Sequence, residues 1–72
     1  MKSKYWVIFE KTETGYSAFV PDLPGCVATG PTKEEVKKLI QETIAFHLEG
    51  LALEDIPIPQ QQAEATELVV NW

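Results

Sequence analysis

Arginine is absent from this 72-residue sequence, and cysteine and histidine occur once each. Each scarcity excludes something. Six lysines against eleven acids leave a net charge of −5, so the chain as a whole repels a phosphate backbone. Lys37 and Lys38 are the only adjacent basic pair, and direct nucleic-acid binding is not expected. One cysteine, Cys26, cannot close an internal disulfide, and with a lone His47 it cannot build a structural zinc site. Long apolar runs are missing too. The run from Tyr5 to Phe9 ends at Glu10, too short for a signal-peptide core or a membrane span. The expectation is a cytoplasmic protein with a free thiol, no membrane partner and no cofactor.

Size sets the next constraint. A chain this short buries only about 60% of the surface its unfolded form exposes, so its core is marginal alone. With disulfides and metal unavailable, self-association is the remaining common source of apolar burial. A homodimer or homotetramer is therefore expected.

What is present divides clearly. Residues 4–11 carry Tyr5, Trp6, Val7, Ile8 and Phe9, a β-branched and aromatic run that reads as a strand with apolar residues on both faces. Residues 12–15 form a turn, and residues 16–20 a second strand that closes a hairpin. In Pro21-Asp22-Leu23-Pro24-Gly25, proline presets φ at one turn position and glycine accepts positive φ at the next, which predicts a type II turn. Residues 26–29 make a short third strand, stopped by Gly30-Pro31.

A helix begins immediately afterwards. Thr32 followed by Glu35 three residues later is a capping box, and Glu34 and Glu35 suit the positive end of the helix dipole. Val36, Leu39, Ile40, Thr43, Ile44, His47 and Leu51 recur at helical spacing, and Gly50 is the expected stop. The prolines of Ile56-Pro57-Ile58-Pro59 rule out helix interior, so an extended connector runs on through Gln60, Gln61 and Gln62. Residues 66–72 alternate, with Leu68, Val70 and Trp72 on one side, and predict a fourth strand. The fold class is therefore α+β, in the order β-β-β-α-β. A right-handed crossover lays strand four parallel to strand one, giving a four-stranded, mostly antiparallel sheet of order 3-2-1-4 with one helix on one face. The other face is left for a partner.

The stretch GYSAFVPDLPGCVATGPTKEEVKKLIQETIAFHLEGL, and then EDIPIPQ, resembles the HicB-like antitoxin family. The likeness runs from Tyr5 to about Pro59. Its most specific part is Asp22, Pro24, Gly25 and Cys26 set shortly before Gly30 and the helix capped by Thr32 and Glu35. The resemblance implies a partial RNase H-like fold and an antitoxin that forms dimers or tetramers. It also implies a partner, a small basic HicA-type toxin that cleaves RNA with its own catalytic histidine. Longer members append a DNA-binding segment after strand four. Here the sequence stops at Trp72, so residues 1–72 are expected to be a single domain without that module.

The candidate catalytic groups each have a simpler reading. His47 falls on the helix's apolar face beside Ile40, Thr43 and Ile44, where a structural histidine bonded to backbone or Thr43 is expected. Cys26 has no base or cation near it in sequence to lower its pKa, and a buried thiol is expected. Two-metal nuclease chemistry needs converging carboxylates, whereas Glu10, Asp22, Glu42 and Glu49 are scattered over strand, turn and helix. Aromatics on a sheet stack RNA bases only with basic neighbours, which are scarce here. The function expected is a binding module that neutralises a HicA-type toxin by covering its active site, with Glu10, Asp22 and Glu49 as partner-binding acids. Two alternatives are an orphan oligomeric domain without a toxin and, less favoured by the residues, a remnant of a metal-dependent nuclease. No catalytic, cofactor-binding or metal-binding residue is assigned.

Overall fold

Three short strands and one long helix make up the regular structure, in a computed structural model that describes residues 3–72. The strands are β1 (Ile8–Lys11), β2 (Tyr16–Phe19) and β3 (Val27–Gly30), and the helix is α1 (Lys33–Leu53). The sheet is antiparallel throughout, with spatial order β1-β2-β3 and the registers Phe9↔Ala18 and Ala18↔Ala28 at its centre.

β1 is shorter than its apolar run, for a chemical reason. Extending the β1–β2 register past Ile8↔Phe19 places Trp6 opposite Pro21, which has no N–H to donate to a ladder. The residues before Ile8 therefore stay outside the ladder. Beyond β2, the amide of Val20 donates to Cys26 O at 3.2 Å and that of Cys26 to Leu23 O at 3.1 Å. The second of these bonds closes a turn around Pro24 and Gly25, and Gly25 has φ +89, the type II geometry expected. The loop thereby folds Leu23 inward, where it is fully buried.

Ala18 and Ala28, paired across β2 and β3, are both buried, and such small side chains let a helix approach the sheet closely. Val20, Leu23, Cys26, Val36 and Ile40 complete a core with no buried polar side chain among the described residues. Ile44 and Leu48 pack beside it, so the packing ridge of α1 is 36-40-44-48, a strict four-residue spacing. Leu39 is 43% exposed and lies off that ridge. At the helix start, Thr32 Oγ1 accepts from the Glu35 amide at 3.2 Å, the expected cap.

Two expectations are corrected. Gly50 does not stop the helix; α1 runs through it to Leu53. The reversal comes at Asp55, with φ +57, where the Asp55 amide donates to Ala52 O and the Ile56 amide to Leu51 O. That hydrogen-bond pair is a Schellman motif, which needs one residue with positive φ and accepts aspartate as well as glycine. The second correction concerns strand four. Residues 66–72 form no strand, so the sheet has three strands rather than four, the order 3-2-1-4 is not realised, and β1 is an edge. Alternation gives the period of a strand, but a strand also needs an edge to join. The connector is held elsewhere: the Tyr5 hydroxyl donates to Pro59 O, and Asp22 grips the amides of Gln62 and Ala63. Past that grip Leu68, Val69, Val70 and Trp72 are all exposed. The radius of gyration is 14.0 Å, against about 11 Å for a compact chain of this length.

Candidate functional site

The strand registers sort the sheet residues onto two faces. Phe9, Ala18 and Ala28 face α1, while Ile8, Phe19 and Val27 form a cross-strand row on the opposite face, with Glu10, Ser17 and Thr29 the next row along. No helix covers that second face among the described residues. Phe19 is 37% exposed and Val27 62% exposed, and Trp6, just ahead of β1, is 44% exposed. An aromatic and two aliphatics in a row, next to an exposed carboxylate, have the composition of a protein-docking surface with a polar margin.

The three acids expected to meet a partner do not gather. Glu10 is exposed on the open face, and Glu49 is exposed on α1, in the other layer of the fold. Asp22 is half-buried and already engaged. Its Oδ2 accepts from the amides of Gln62 and Ala63, both at 3.1 Å, and its Oδ1 from Ala63 at 3.2 Å. Asp22 thereby ties its turn to a segment 40 residues away, a contact with no local signal in the sequence.

His47 and Cys26 come onto one shallow depression with Gly25, Thr43 and Phe46. The Thr43 hydroxyl donates to Leu39 O at 2.9 Å. Burial pushes the Cys26 thiol above its ordinary value, the reverse of what a nucleophilic cysteine needs. Among the described residues, no group of three His, Cys, Asp or Glu is placed to hold a metal ion. Gly30 and Thr32 serve the close packing and capping at the start of α1. Phe46, 79% exposed on α1, is a surface residue that the helical spacing did not single out.

The profile of the family described as "HicB_like antitoxin of bacterial toxin-antitoxin system" matches residues 5–71. The chain belongs to the HicB-like antitoxin family. The UPF0150 protein of Thermoplasma acidophilum is 44% identical over 62 residues, covering 85% of this chain and 90% of that protein. Antitoxin HicB 2 of Photorhabdus laumondii is 34% identical over 64 residues, 86% of this chain but 46% of that protein. This HicB-like chain thus spans less than half the length of some curated relatives it matches. Among solved structures, a chain of the HicA3 and HicB3 toxin-antitoxin complex superposes with a TM-score of 0.68 at 32% identity, covering 83% of this chain and 70% of that one. The α+β arrangement of an antiparallel sheet and one helix agrees with that neighbour. In the HicB-like chain described here, no helix among the described residues is long and apolar enough to cross a membrane.

Proposed function

We propose that this HicB-like protein is a non-enzymatic binding module that neutralises a HicA-type RNA-cleaving toxin by covering its active site. The observation that carries the reading is the open sheet face, with Ile8, Phe19 and Val27 in a row and Glu10 beside them. A protein that grips RNA presents lysines and arginines, and an acidic partner is steered towards such a surface. Steering alone does not inhibit. A dry contact must also form, and an aromatic anchor flanked by aliphatics supplies one. Glu10 meets the toxin's basic groups beside that face, Asp22 contributes through the connector it positions, and Glu49, on the helix layer, adds to the acidic field that steers the encounter. The sheet and helix represent part of an RNase H-like fold turned from catalysis to binding. The reading places the protein in the cytoplasm, where its RNA-cleaving target acts.

The test is co-expression with a HicA-type toxin, read by RNA integrity and by co-purification. Phe19→Lys combined with Val27→Lys changes two exposed positions, so circular dichroism should be unaltered. Binding should weaken by about 100-fold, roughly tenfold per lost anchor, and RNA cleavage should return. Glu10→Lys should slow association and flatten its salt dependence while leaving dissociation nearly unchanged. Full protection by the double variant would refute the open face as the contact. If the unmodified protein never co-purifies with any such toxin, an orphan oligomeric domain becomes the better reading.

A further inference from the structure

The outer side of α1 carries a second row of residues that the core does not use. Leu39, Thr43, Phe46, Gly50 and Leu53 follow one another at spacings of four, three, four and three. A mean period of about 3.5 residues is that of the seam along which two helices pack, the knobs of one entering the holes of the other. The large members are exposed, Leu39 at 43%, Phe46 at 79% and Leu53 at 83%. The small members leave room between them, and a Cβ added at Gly50 would meet nothing within 4 Å. Thr43, Phe46 and Gly50 also line the depression of about 410 Å³ shared with Gly25 and Cys26, so the turn after β2 walls the row on one flank. Acids occupy the other flank. Glu35, Glu42 and Glu49 recur there every seven residues, all exposed, and Glu54 lies at the end of the row. Lys38 sits beyond that line, one cation against three acids, and Lys33 is turned to the ring of Phe9, 5.3 Å from its centroid. The last turn of α1 holds no basic residue, although the negative end of a helix dipole favours one.

We propose that the row from Leu39 to Leu53 is a docking surface for one amphipathic helix of a partner protein, with an aliphatic seam flanked by lysine and arginine. Charge selects that occupant. A second copy offering the same row would set Glu42 and Glu49 against glutamates when antiparallel, and Glu49 against Glu54 when parallel, with no lysine in register. A nucleic acid or an anionic membrane is repelled by the same line of carboxylates. A basic helix instead meets a carboxylate at each heptad, and its cations supply the positive charge that the end of α1 lacks. Its seam side chains enter the spaces over Thr43 and Gly50, between the knobs Leu39, Phe46 and Leu53. Phe46, large, exposed and central, is the anchor. A single helix on one row buries less than the roughly 1,200 Å² of a standard interface, which sets the expected Kd in the micromolar range. The row lies on the helix layer, whereas the toxin contact proposed above is the open face of the sheet. The inference therefore goes beyond the antitoxin reading and does not rest on it.

The probe is a synthetic peptide of about three heptads, with leucine at both seam positions and lysine at the flanking ones. It is titrated into the whole chain without any toxin. Calorimetry should give micromolar binding that weakens with added salt, and circular dichroism should show the peptide gaining helix on mixing. A peptide with glutamate in place of lysine should bind about tenfold more weakly or worse, and so should one of the same composition as the probe in an order that breaks the seam. Phe46→Glu with Leu53→Glu changes two exposed positions, so the free protein should keep its circular dichroism spectrum while the lysine peptide loses about tenfold in affinity. Glu42→Lys with Glu49→Lys should reverse the preference and favour the glutamate peptide. Absence of binding by the lysine peptide, equal binding of the lysine and glutamate peptides, or binding undiminished by the apolar substitutions would each overturn the inference. So would a fall in oligomer mass on sedimentation of the Phe46 and Leu53 variant, because the row would then be covered by a second copy. None of these results involves a toxin, so failure here is distinguishable from failure of the antitoxin reading.

Discussion

One chemical change, Gly→Ala, should have opposite effects at two sites, and the structure gives both signs. At Gly15 a Cβ would lie 2.1 Å from Gly30 O and 2.7 Å from Pro31 Cα. Both obstacles are backbone, and neither can rotate away. The tip of the β1–β2 hairpin would have to move by about 1 Å, opening the start of β2 from the end of β3. Overpacking of this kind costs typically 1–3 kcal/mol and occasionally more, and rigid backbone on the facing side puts Gly15→Ala at about 3 kcal/mol. A chain of this size has roughly 4–10 kcal/mol of total stability, so the loss is a large share of it. At Gly50 a Cβ would meet nothing within 4 Å, and the residue is inside α1. Gly50→Ala there should stabilise by about 1 kcal/mol, through helix propensity alone. Each kcal/mol moves Tm by about 4–8 °C in a domain this small. Thermal melts followed at 222 nm, at one fixed protein concentration, should show Gly15→Ala lower by about 12–24 °C and Gly50→Ala higher by about 4–8 °C. A Gly15→Ala protein within 1 kcal/mol of the original would refute the reasoning, since the hairpin tip would then yield freely. A destabilised Gly50→Ala protein would show that the glycine meets something outside the single chain.

Asp22→Ala should release the connector: hydrogen exchange at the Gln62 and Ala63 amides should speed by about tenfold while amides of the core strands keep their rates, and unchanged rates would exclude the grip. Burial raises the Cys26 thiol pKa above its unfolded value, so the folded chain holds that proton longer than the unfolded chain does. Stability from this group is therefore complete at neutral pH and falls as pH rises above about 8.5, where the unfolded thiol ionises. Cys26→Ser should remove that part of the alkaline loss, and thiol labelling should follow unfolding. Asp55→Gly should raise stability by up to about 1 kcal/mol in urea denaturation by relieving a positive φ, and a loss would mean that the aspartate side chain is engaged.

Local signals in the sequence were read correctly where the chemistry that decides them is local. Thr32 and Glu35 cap α1 because both groups lie within one turn, and Pro24-Gly25 fixes its turn from within five residues. The helix end was misplaced because Gly50 carries the usual glycine sign whereas the reversal uses Asp55, an aspartate that tolerates positive φ. The packing ridge of α1 was shifted for a related reason. Spacing alone admits Leu39 and His47, and only the paired alanines beneath the helix select the 36-40-44-48 row. The link from Asp22 to Ala63 spans 41 residues and has no periodic trace. The uncovered sheet face was anticipated from the single helix. Its composition of Ile8, Phe19, Val27 and Glu10 needed the strand registers, because a one-residue slip would exchange the two faces.

The sheet order β1-β2-β3 follows the order of synthesis, and this bears on how quickly the protein becomes competent. Every strand pairs with its neighbour in the chain, across four residues between β1 and β2 and seven between β2 and β3. Loop closure over such short spans is fast, and folds rich in local contacts reach the native state in microseconds to milliseconds. The strands and helix all fall within residues 8–53, so the open face forms from the short-range part of the chain without the residues that follow. A newly released molecule would thus present its docking face as soon as the sheet closes.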